Sequence, residues 1–289
     1  MQASIKARRR HHRLAIRGRE EVLGPRTWIM GILNVTPDSF SDGGRCADVD
    51  TAVAFGMALF EAGADIVDVG GESTRPGGFA VDPDVETGRV VPVVEGLRKR
   101  GTGLVSVDTT KAAVARAALD AGADLVNDVS GFRFDPAMAP LVARRGAAAV
   151  VMHVRGTFDT MHQEPAYADV MGEVVSELKA ALEAGERAGV KPMQTIVDPG
   201  IGFAKDRRHS LEVLRRLPEM DALDRPVLVG PSRKSFLGKV LDVPPAERLM
   251  GTAAAVAASI LGGAHVVRVH DVAAMAQVAR VCDAILGGA

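Results

Sequence analysis

Apolar and polar positions recur along the chain in one order: a short apolar run, a polar tip, a loop, then a stretch with helical spacing. The first run, residues 27–35, carries Trp28, Ile29, Met30, Ile32 and Leu33 and closes on Asn34 before breaking into a Pro- and Gly-marked loop. The same grammar returns at 65–71, 104–108, 124–129, 148–154, 195–198, 226–230 and 265–270. Near-continuous apolar runs of this length predict strands of a parallel sheet buried on both faces by helices. The helical stretches supply that cover. Val53, Met57 and Phe60 share one face behind a cap at Asp48 or Asp50; Met171, Val175, Leu178 and Leu182 form another stripe; Val278, Cys282 and Ile285 form a third.

Three junctions repeat a helix stop followed by a strand start: Ala62-Gly63-Ala64, Ala121-Gly122-Ala123 and Gly262-Gly263-Ala264. Ahead of the first strand, residues 12–23 read as a small hairpin, with Leu14, Ile16 and Val22 apolar and Gly18 at the turn. Eight strand–helix units favour an α/β fold of the (β/α)8 TIM-barrel type with a short N-terminal β-hairpin over an open doubly wound sheet. Neither G-x-G-x-x-G nor G-x-x-x-x-G-K-[ST] is present to support a nucleotide-binding alternative. The expected organisation is a basic tail at 1–11 and a single barrel domain at 12–289.

A chain of 289 residues with 47% hydrophobic and 25% charged positions can bury a sizeable core, so bulk disorder is excluded. Its net charge of -1 argues against a nucleic-acid binder. Lys6, Arg8, Arg9, Arg10, Arg13, Arg17 and Arg19 crowd the start, but the run is short and gives way to Glu20 and Glu21, which suits a solvated tail better than a nucleic-acid arm or an import signal. Cys46 and Cys282 alone make no disulfide framework and no C-x-x-C metal motif, which fits a reducing cytoplasm. No apolar run reaches the roughly 20 residues of a membrane span.

In a barrel the active site lies at the C-terminal ends of the strands. There the sequence places Asn34, Ser73, Thr74, Arg75, Asp108, Asn127, Met152, Asp198, Ser232, Lys234, Arg268 and His270. A buried polar group without a partner costs roughly 1 to 3 kcal/mol, so this many exceptions to an apolar core call for a ligand or a dense internal network. Asp108, Asn127, Asp198 and Lys234 offer donors and acceptors for the edge of a polar heterocycle. Asn34, Ser73, Arg75, Arg268 and His270 suit phosphate oxygens and a magnesium ion.

Each candidate has a plainer reading. Asp68 and Glu72 are set aside as structural, because Asp68 lies inside a strand and can pair within the barrel. Strand alternation turns Asp128 away from the side that Asn127 faces. His153 reads as a satisfied interior histidine, and His11 beside His12 makes no zinc site. Met152 and Phe203 are ordinary core fillers in most chains, but here each sits at or just past a strand end and can wall a flat ring. The residues by themselves reach a barrel enzyme for a phosphate-bearing polar heterocycle, with the reaction unnamed.

Several long strings resemble the dihydropteroate synthase family. Residues 30–44, Met-Gly-Ile-Leu-Asn-Val-Thr-Pro-Asp-Ser-Phe-Ser-Asp-Gly-Gly, are similar to its first signature, and 66–77, Ile-Val-Asp-Val-Gly-Gly-Glu-Ser-Thr-Arg-Pro-Gly, to its second. Asp-Pro-Gly-Ile-Gly-Phe-Ala-Lys at 198–205, Ser-Arg-Lys-Ser at 232–235 and Arg-Val-His at 268–270 match in the same order. The resemblance implies a (β/α)8 barrel that joins p-aminobenzoate to a hydroxymethyl-dihydropterin pyrophosphate, with Mg2+ as cofactor, sulfonamides as inhibitors and commonly a homodimer. By the same resemblance Asp108, Asn127, Met152, Asp198, Phe203, Lys234 and Arg268 hold the pterin, while Asn34, Ser73, Arg75, Arg268 and His270 hold pyrophosphate, Asn34 also touching the metal. Phe40, Thr74, Pro76 and Ser232 take p-aminobenzoate, and Arg75, Asp108, Asp198, Lys234 and Arg268 carry the chemistry. The chain departs from the family pattern after His153, where Gly156-Thr157 is followed by Phe158 instead of proline and Val154-Arg155 is a variable pair. A corrinoid-linked methyltransferase with a pterin-binding barrel should lack the loop at 73–76 and Phe40. A non-enzymatic paralogue should have lost some of Asn34, Arg75, Asp198, Lys234 or Arg268, and all are present.

Overall fold

Period-2 alternation decides what the strands enclose. The computed structural model describes residues 9–36, 49–73, 78, 80–101, 103–161, 163 and 166–287. A hairpin of β1 (His12–Ile16) and β2 (Arg19–Leu23) precedes eight parallel strands: β3 (Trp28–Asn34), β4 (Ile66–Gly70), β5 (Leu104–Asp108), β6 (Leu125–Asp128), β7 (Ala148–Met152), β8 (Thr195–Asp198), β9 (Leu228–Val229) and β10 (Val266–Val269). They pair in the order β8-β7-β6-β5-β4-β3-β10-β9, and a bridge between Val197 and Val227 brings the two outer strands together. There the Val197 N–H donates to the Pro226 carbonyl at 2.9 Å, so the sheet is a nearly closed barrel.

Alternate residues face inward, and at the N-terminal end of the barrel they are apolar. Trp28, Met30, Ile66, Leu104, Leu125, Ala148, Val150, Ile196, Leu228 and Val266 form one cluster. Leu14, Ile16 and Leu23 of the hairpin join it, each with no exposed surface, so the hairpin stoppers the bottom of the barrel. Burying a side chain of this size stabilises by roughly 1.5 to 3 kcal/mol.

The opposite parity of each strand packs outward against helices α1 (Val49–Glu61), α2 (Pro83–Arg100), α3 (Ala112–Asp120), α4 (Met138–Arg145), α5 (Val170–Arg187), α6 (Arg207–Arg215), α7 (Ser235–Leu241), α8 (Leu249–Leu261) and α9 (Val272–Ile285). The eight-fold alternation therefore holds with one addition, because two helices instead of one separate β9 from β10. Val243-Pro244-Pro245 lies between them; proline cannot donate its backbone nitrogen, and Asp242 closes α7 in the left-handed region. The helix-stop device works as the sequence implies. Gly63, Gly122 and Gly263 take φ near +105 to +112°, and the next residue's N–H reaches back to the helix, as from Ala64 to the Leu59 carbonyl at 3.0 Å.

Three expectations need correction. Ile285 is 58% exposed; the buried face of α9 runs instead through Met275, Ala279 and Cys282 and on to Leu286. Asp50 lies within the first turn of α1 and does not cap it. The basic start is not a solvated tail throughout. Arg9 is buried, its guanidinium bonded to Asp283, to Thr27 Oγ1 at 2.9 Å and to the Ala264 carbonyl at 2.9 Å. Arg17 donates to the Leu119 and Ala123 carbonyls, and Arg19 pairs with Asp124 at 3.0 Å. Helix C-termini expose carbonyl oxygens at the bottom of the barrel, and arginines are what satisfies them.

Candidate active site

The same inward parity that is apolar at the bottom turns polar toward the top. On β4 it runs Ile66, Asp68, Gly70; on β5, Leu104, Ser106, Asp108; on β6, Leu125, Asn127; on β8, Ile196, Asp198; on β10, Val266, Arg268. Register then sets Asn34 beside Gly70, Gly70 beside Asp108 and Asp108 beside Asn127. A methyl group on Gly70 would lie 3.6 Å from the Asn34 amide oxygen and 3.8 Å from Asp108 Oδ2, so the glycine leaves open the space those two side chains flank.

Arg268 is the centre of the network. Its Nε donates to Asp68 Oδ2 at 2.6 Å and its Nη2 to Asp108 Oδ2 at 2.6 Å, while Asn127 Nδ2 donates to the same Asp68 oxygen at 2.9 Å. Asp68, set aside from the sequence as structural, does pair within the barrel, but it pairs with two of the candidate site residues and belongs to the site. Its parity with Ile66 and Gly70 was the available signal. Among the described residues Asp68 Oδ1 and Ser106 Oγ are buried with no hydrogen-bond partner, and such orphans on the inward face suit a ligand's polar edge.

Burial shapes the charges. It pushes the Asp108 carboxyl up to about 7 against the pull of Arg268, and Asp198 up to about 6 against the Gly200 N–H and Lys234. Burial also draws the Lys234 ammonium down to about 8, with Asp198 opposing. Titratable groups shifted toward neutrality and clustered at one barrel mouth mark a functional site.

One side of the mouth is apolar. Met152 and Phe203 pack with Val129, Val154 and Met161, and Phe134 and Phe158 lie against them. Phe158, where the sequence departs from the family pattern, thus extends this wall. Lys234 Nζ sits 3.9 Å from the centre of the Phe203 ring. Lys234 is presented by a turn that the sequence did not flag: Arg233 adopts φ 56°, a left-handed conformation costing a non-glycine residue roughly 1 kcal/mol. Three contacts hold it there. Its N–H donates to Thr252 Oγ1 at 3.1 Å, its guanidinium grips Asp271 at 2.6 and 3.0 Å, and its carbonyl accepts from Arg248 at 3.0 Å.

Ser232 and His270 meet past the ends of β9 and β10, Ser232 Oγ lying 2.9 Å from His270 Nδ1 and accepting the His270 N–H at 3.1 Å. Asp128 points away from Asn127 into its own turn, accepting from Ser130 and from the Phe132 N–H at 2.9 Å. His153 is an interior residue with both ring nitrogens engaged, by Glu177 at 3.1 Å and Lys205 at 2.8 Å. Ser73 lies in the loop after β4. Phe40, Thr74, Arg75 and Pro76 lie outside the described residues, as do Asp48 and Cys46.

Behind that loop stands a buried ion network. Lys111 Nζ bridges Glu72 at 2.7 Å and Glu86 at 2.6 Å, and Glu72 Oε1 also accepts the Val81 N–H at 2.6 Å. Glu72 is therefore structural, as the sequence reading had it, but what it braces is the base of a loop at the mouth.

Among the described residues no group of three or more His, Cys, Asp or Glu side chains is arranged to hold a metal ion. A magnesium ion keeps several waters and readily takes phosphate oxygens, so one amide oxygen from Asn34 fits a site completed by a bound polyphosphate and not a dedicated protein cage.

Known proteins agree with this geometry. The family model for pterin binding enzyme matches residues 30–270. A dihydropteroate synthase of Mycobacterium leprae is 50% identical over 265 residues, spanning 89% of this chain and 93% of its own length. Among solved structures, the Yersinia pestis dihydropteroate synthase with a sulfonamide drug complex superposes with a TM-score of 0.89 at 39% identity, covering 94% of this chain and 98% of its own. The Xanthomonas albilineans dihydropteroate synthase with 4-aminobenzoic acid gives 0.88 at 42% identity, covering 96% and 98%.

Proposed function

The chain belongs to the dihydropteroate synthases of the pterin-binding enzyme family, and from that membership and the barrel mouth we infer that it condenses 6-hydroxymethyl-7,8-dihydropterin pyrophosphate with p-aminobenzoate, giving 7,8-dihydropteroate and pyrophosphate in folate biosynthesis. The observation that carries the reading is the set of buried Asp68, Asp108, Asn127 and Asp198 with partly buried Lys234 around Arg268, facing the Met152 and Phe203 wall. It offers carboxylates for ring N–H groups, an amide and an ammonium for ring acceptors, and apolar surface for the ring plane.

In this reading Asp108, Asn127, Asp198 and Lys234 fix the edge of the pterin, and Arg268 covers it. Arg268, His270, Ser73 and Asn34 face the pyrophosphate, joined by Arg75; Phe40, Thr74, Pro76 and Ser232 form the p-aminobenzoate wall, and sulfonamides compete there. The methylene carbon–oxygen bond breaks with its electron pair leaving on pyrophosphate, and positive charge spreads into the pterin beside Asp108 and Asp198. The arylamine is uncharged at neutral pH, so its nitrogen lone pair forms the new carbon–nitrogen bond without a strong base, and its proton passes to solvent or pyrophosphate. Placement matters more than activation.

Magnesium bound with pyrophosphate would neutralise charge on the leaving group, Asn34 supplying one oxygen ligand. We place the enzyme in the cytoplasm, supported by its two cysteines, of which Cys282 is a buried free thiol. No described helix is long and apolar enough to cross a membrane. A homodimer is supported by exposed apolar side chains on the last three helices, among them Val240 on α7, Met250 on α8 at 77% exposure and Val281 on α9. Light scattering on the eluted protein decides the oligomer. The function is tested by incubating purified protein with both substrates and magnesium and following dihydropteroate and pyrophosphate together. Equimolar appearance of both is expected, and neither appearing would overturn the assignment.

A further inference from the structure

The eight-residue string from Asp198 to Lys205 places Asp198 and Phe203 at the barrel mouth, and two backbone carbonyls of the turn, those of Gly200 and Phe203, are taken up by the side chain that ends it. Lys205, the last residue of the string, is buried and turns back beneath them. Its Nζ contacts the Gly200 carbonyl at 3.2 Å, the Phe203 carbonyl at 3.2 Å and His153 Nδ1 at 2.8 Å. The other imidazole nitrogen of His153 faces the Glu177 carboxylate at 3.1 Å, so it carries the ring proton and leaves Nδ1 as an acceptor. Three acceptors around one lysine match the three donors of an ammonium.

The turn has no slack on that side. Gly200 has φ +67°, and a Cβ there would fall 1.9 Å from the His153 carbonyl oxygen, so the peptide rests directly on β7's exit. The same Gly200 residue is tied on both sides: its N–H donates to Asp198 Oδ1 at 2.7 Å while its carbonyl accepts from Lys205. Ala204, in the left-handed region at φ 46°, donates its N–H to the Met161 carbonyl at 2.7 Å and accepts from the Tyr167 hydroxyl at 3.0 Å. Tyr167 in turn lies under the Arg155 guanidinium, 4.1 Å from the ring centre, and Arg155 is held by Glu173 and Glu177. Arg155, of the variable pair Val154-Arg155, is thus part of this support.

We propose that Lys205 is a positioning residue for pterin recognition: from outside the pocket it fixes the turn that carries Asp198 and Phe203, with His153 and Tyr167 as its supports. The proposal rests on the dihydropteroate synthase reading for the identity of the ligand. Lys205 touches neither substrate. Removing its donors while keeping its length frees two carbonyls and lets the Phe203 ring and the Gly200 peptide shift relative to Lys234. The p-aminobenzoate wall, formed by other loops, is untouched.

The test uses the whole chain and two variants, Lys205→Met and Tyr167→Phe, with wild type assayed alongside for dihydropteroate formation. Calorimetric titration with 6-hydroxymethylpterin should show Lys205→Met binding at least roughly tenfold more weakly, the loss expected when two buried carbonyls lose their hydrogen bonds. Tyr167→Phe, which removes a single hydroxyl, should weaken pterin binding by a few fold. In both, the KM for p-aminobenzoate should stay at the wild-type value. Wild-type pterin affinity in a folded Lys205→Met protein overturns the proposal. So does an unaltered Tyr167→Phe if Lys205→Met fails to fold, and so does an equal rise in both substrates' KM, the mark of general loosening. A wild-type protein that makes no dihydropteroate overturns the functional reading instead.

Discussion

Asp198→Asn should make the ligand-free protein more stable and nearly inactive, and the gain should depend on pH. Burial raises the Asp198 carboxyl from 3.8 to about 6, because the ionised form loses more hydration than the Gly200 N–H and Lys234 restore. A carboxyl whose pKa is higher folded than unfolded binds more protons in the folded state between those two values. Stability is therefore lost as pH rises from about 4 to about 6 and stays lost above. Integrating that mismatch gives a cost on the order of 2 kcal/mol at pH 5 and about 3 kcal/mol at pH 8. Asparagine carries no such cost and still accepts from the Gly200 N–H. Lys234 would lose its counter-ion and return part of the gain, so the expected widening of the stability gap between pH 5 and pH 8 is about 1 kcal/mol. Urea unfolding of both proteins at the two pH values, without ligand, measures it. A gap that stays constant, or that closes as pH rises, would refute the account of Asp198 as a carboxylate held at a cost. Activity should fall by about a hundredfold or more, since the ring N–H groups lose a charged acceptor.

Arg268→Ala should lower turnover roughly ten- to a hundredfold by removing a charge-assisted contact, and should destabilise the protein by about 3 kcal/mol or more because Asp68 and Asp108 are left buried and unpaired; denaturation monitored with and without pterin checks both. Lys111→Met should raise the KM for p-aminobenzoate more than that for the pterin substrate, since Glu72 would lose the cation that steadies the base of the loop after β4; steady-state kinetics with each substrate varied would show it. Binding should be ordered, p-aminobenzoate or a sulfonamide giving heat in calorimetry only when pyrophosphate and magnesium are present, and tight binding to the protein alone would rule the order out.

Where sequence and structure part company, distance along the chain is the reason. The strands were legible because alternation is local: Leu104, Ser106 and Asp108 lie within five residues, and their shared face follows from the pleat alone. The strand-end residues were legible for the same reason, since a polar tip on an apolar run is visible without knowing its partner. Asp68 was not, because its partners Arg268 and Asn127 lie 200 and 59 positions away, and an aspartate inside a strand looks the same whether its ion pair is structural or part of a site. Arg9 is a similar case, reaching Asp283 across 274 positions from a run that locally resembles a solvated tail. Lys205 ends a string that matches the family, yet nothing in its neighbours in sequence shows that it turns back to that string's carbonyls. Ile285 fails for a geometric reason: the buried stripe of α9 runs through Met275, Ala279 and Cys282 to Leu286, which leaves Ile285 on the exposed side.

The division of the barrel interior explains how one fold tolerates so many uncomfortable groups. Below, the hairpin and the inward apolar residues form one buried apolar cluster. Above, the same strands bury Asp68, Asp108, Asn127 and Asp198 beside the partly exposed Lys234 and Arg268, a set that opposes its own desolvation through a few charge-assisted bonds. The two halves share backbone ladders, so the lower half keeps the strand ends aligned whatever the upper half costs. Arg268 draws both carboxylates to one guanidinium and shields each from the other in the absence of a pterin. A ligand that brings N–H donors of its own can then replace part of that shielding, and its binding free energy is spent against groups already held in position. The unsatisfied Asp68 oxygen and the raised carboxyls are, on this view, the cost of a pocket that is assembled before its substrate arrives.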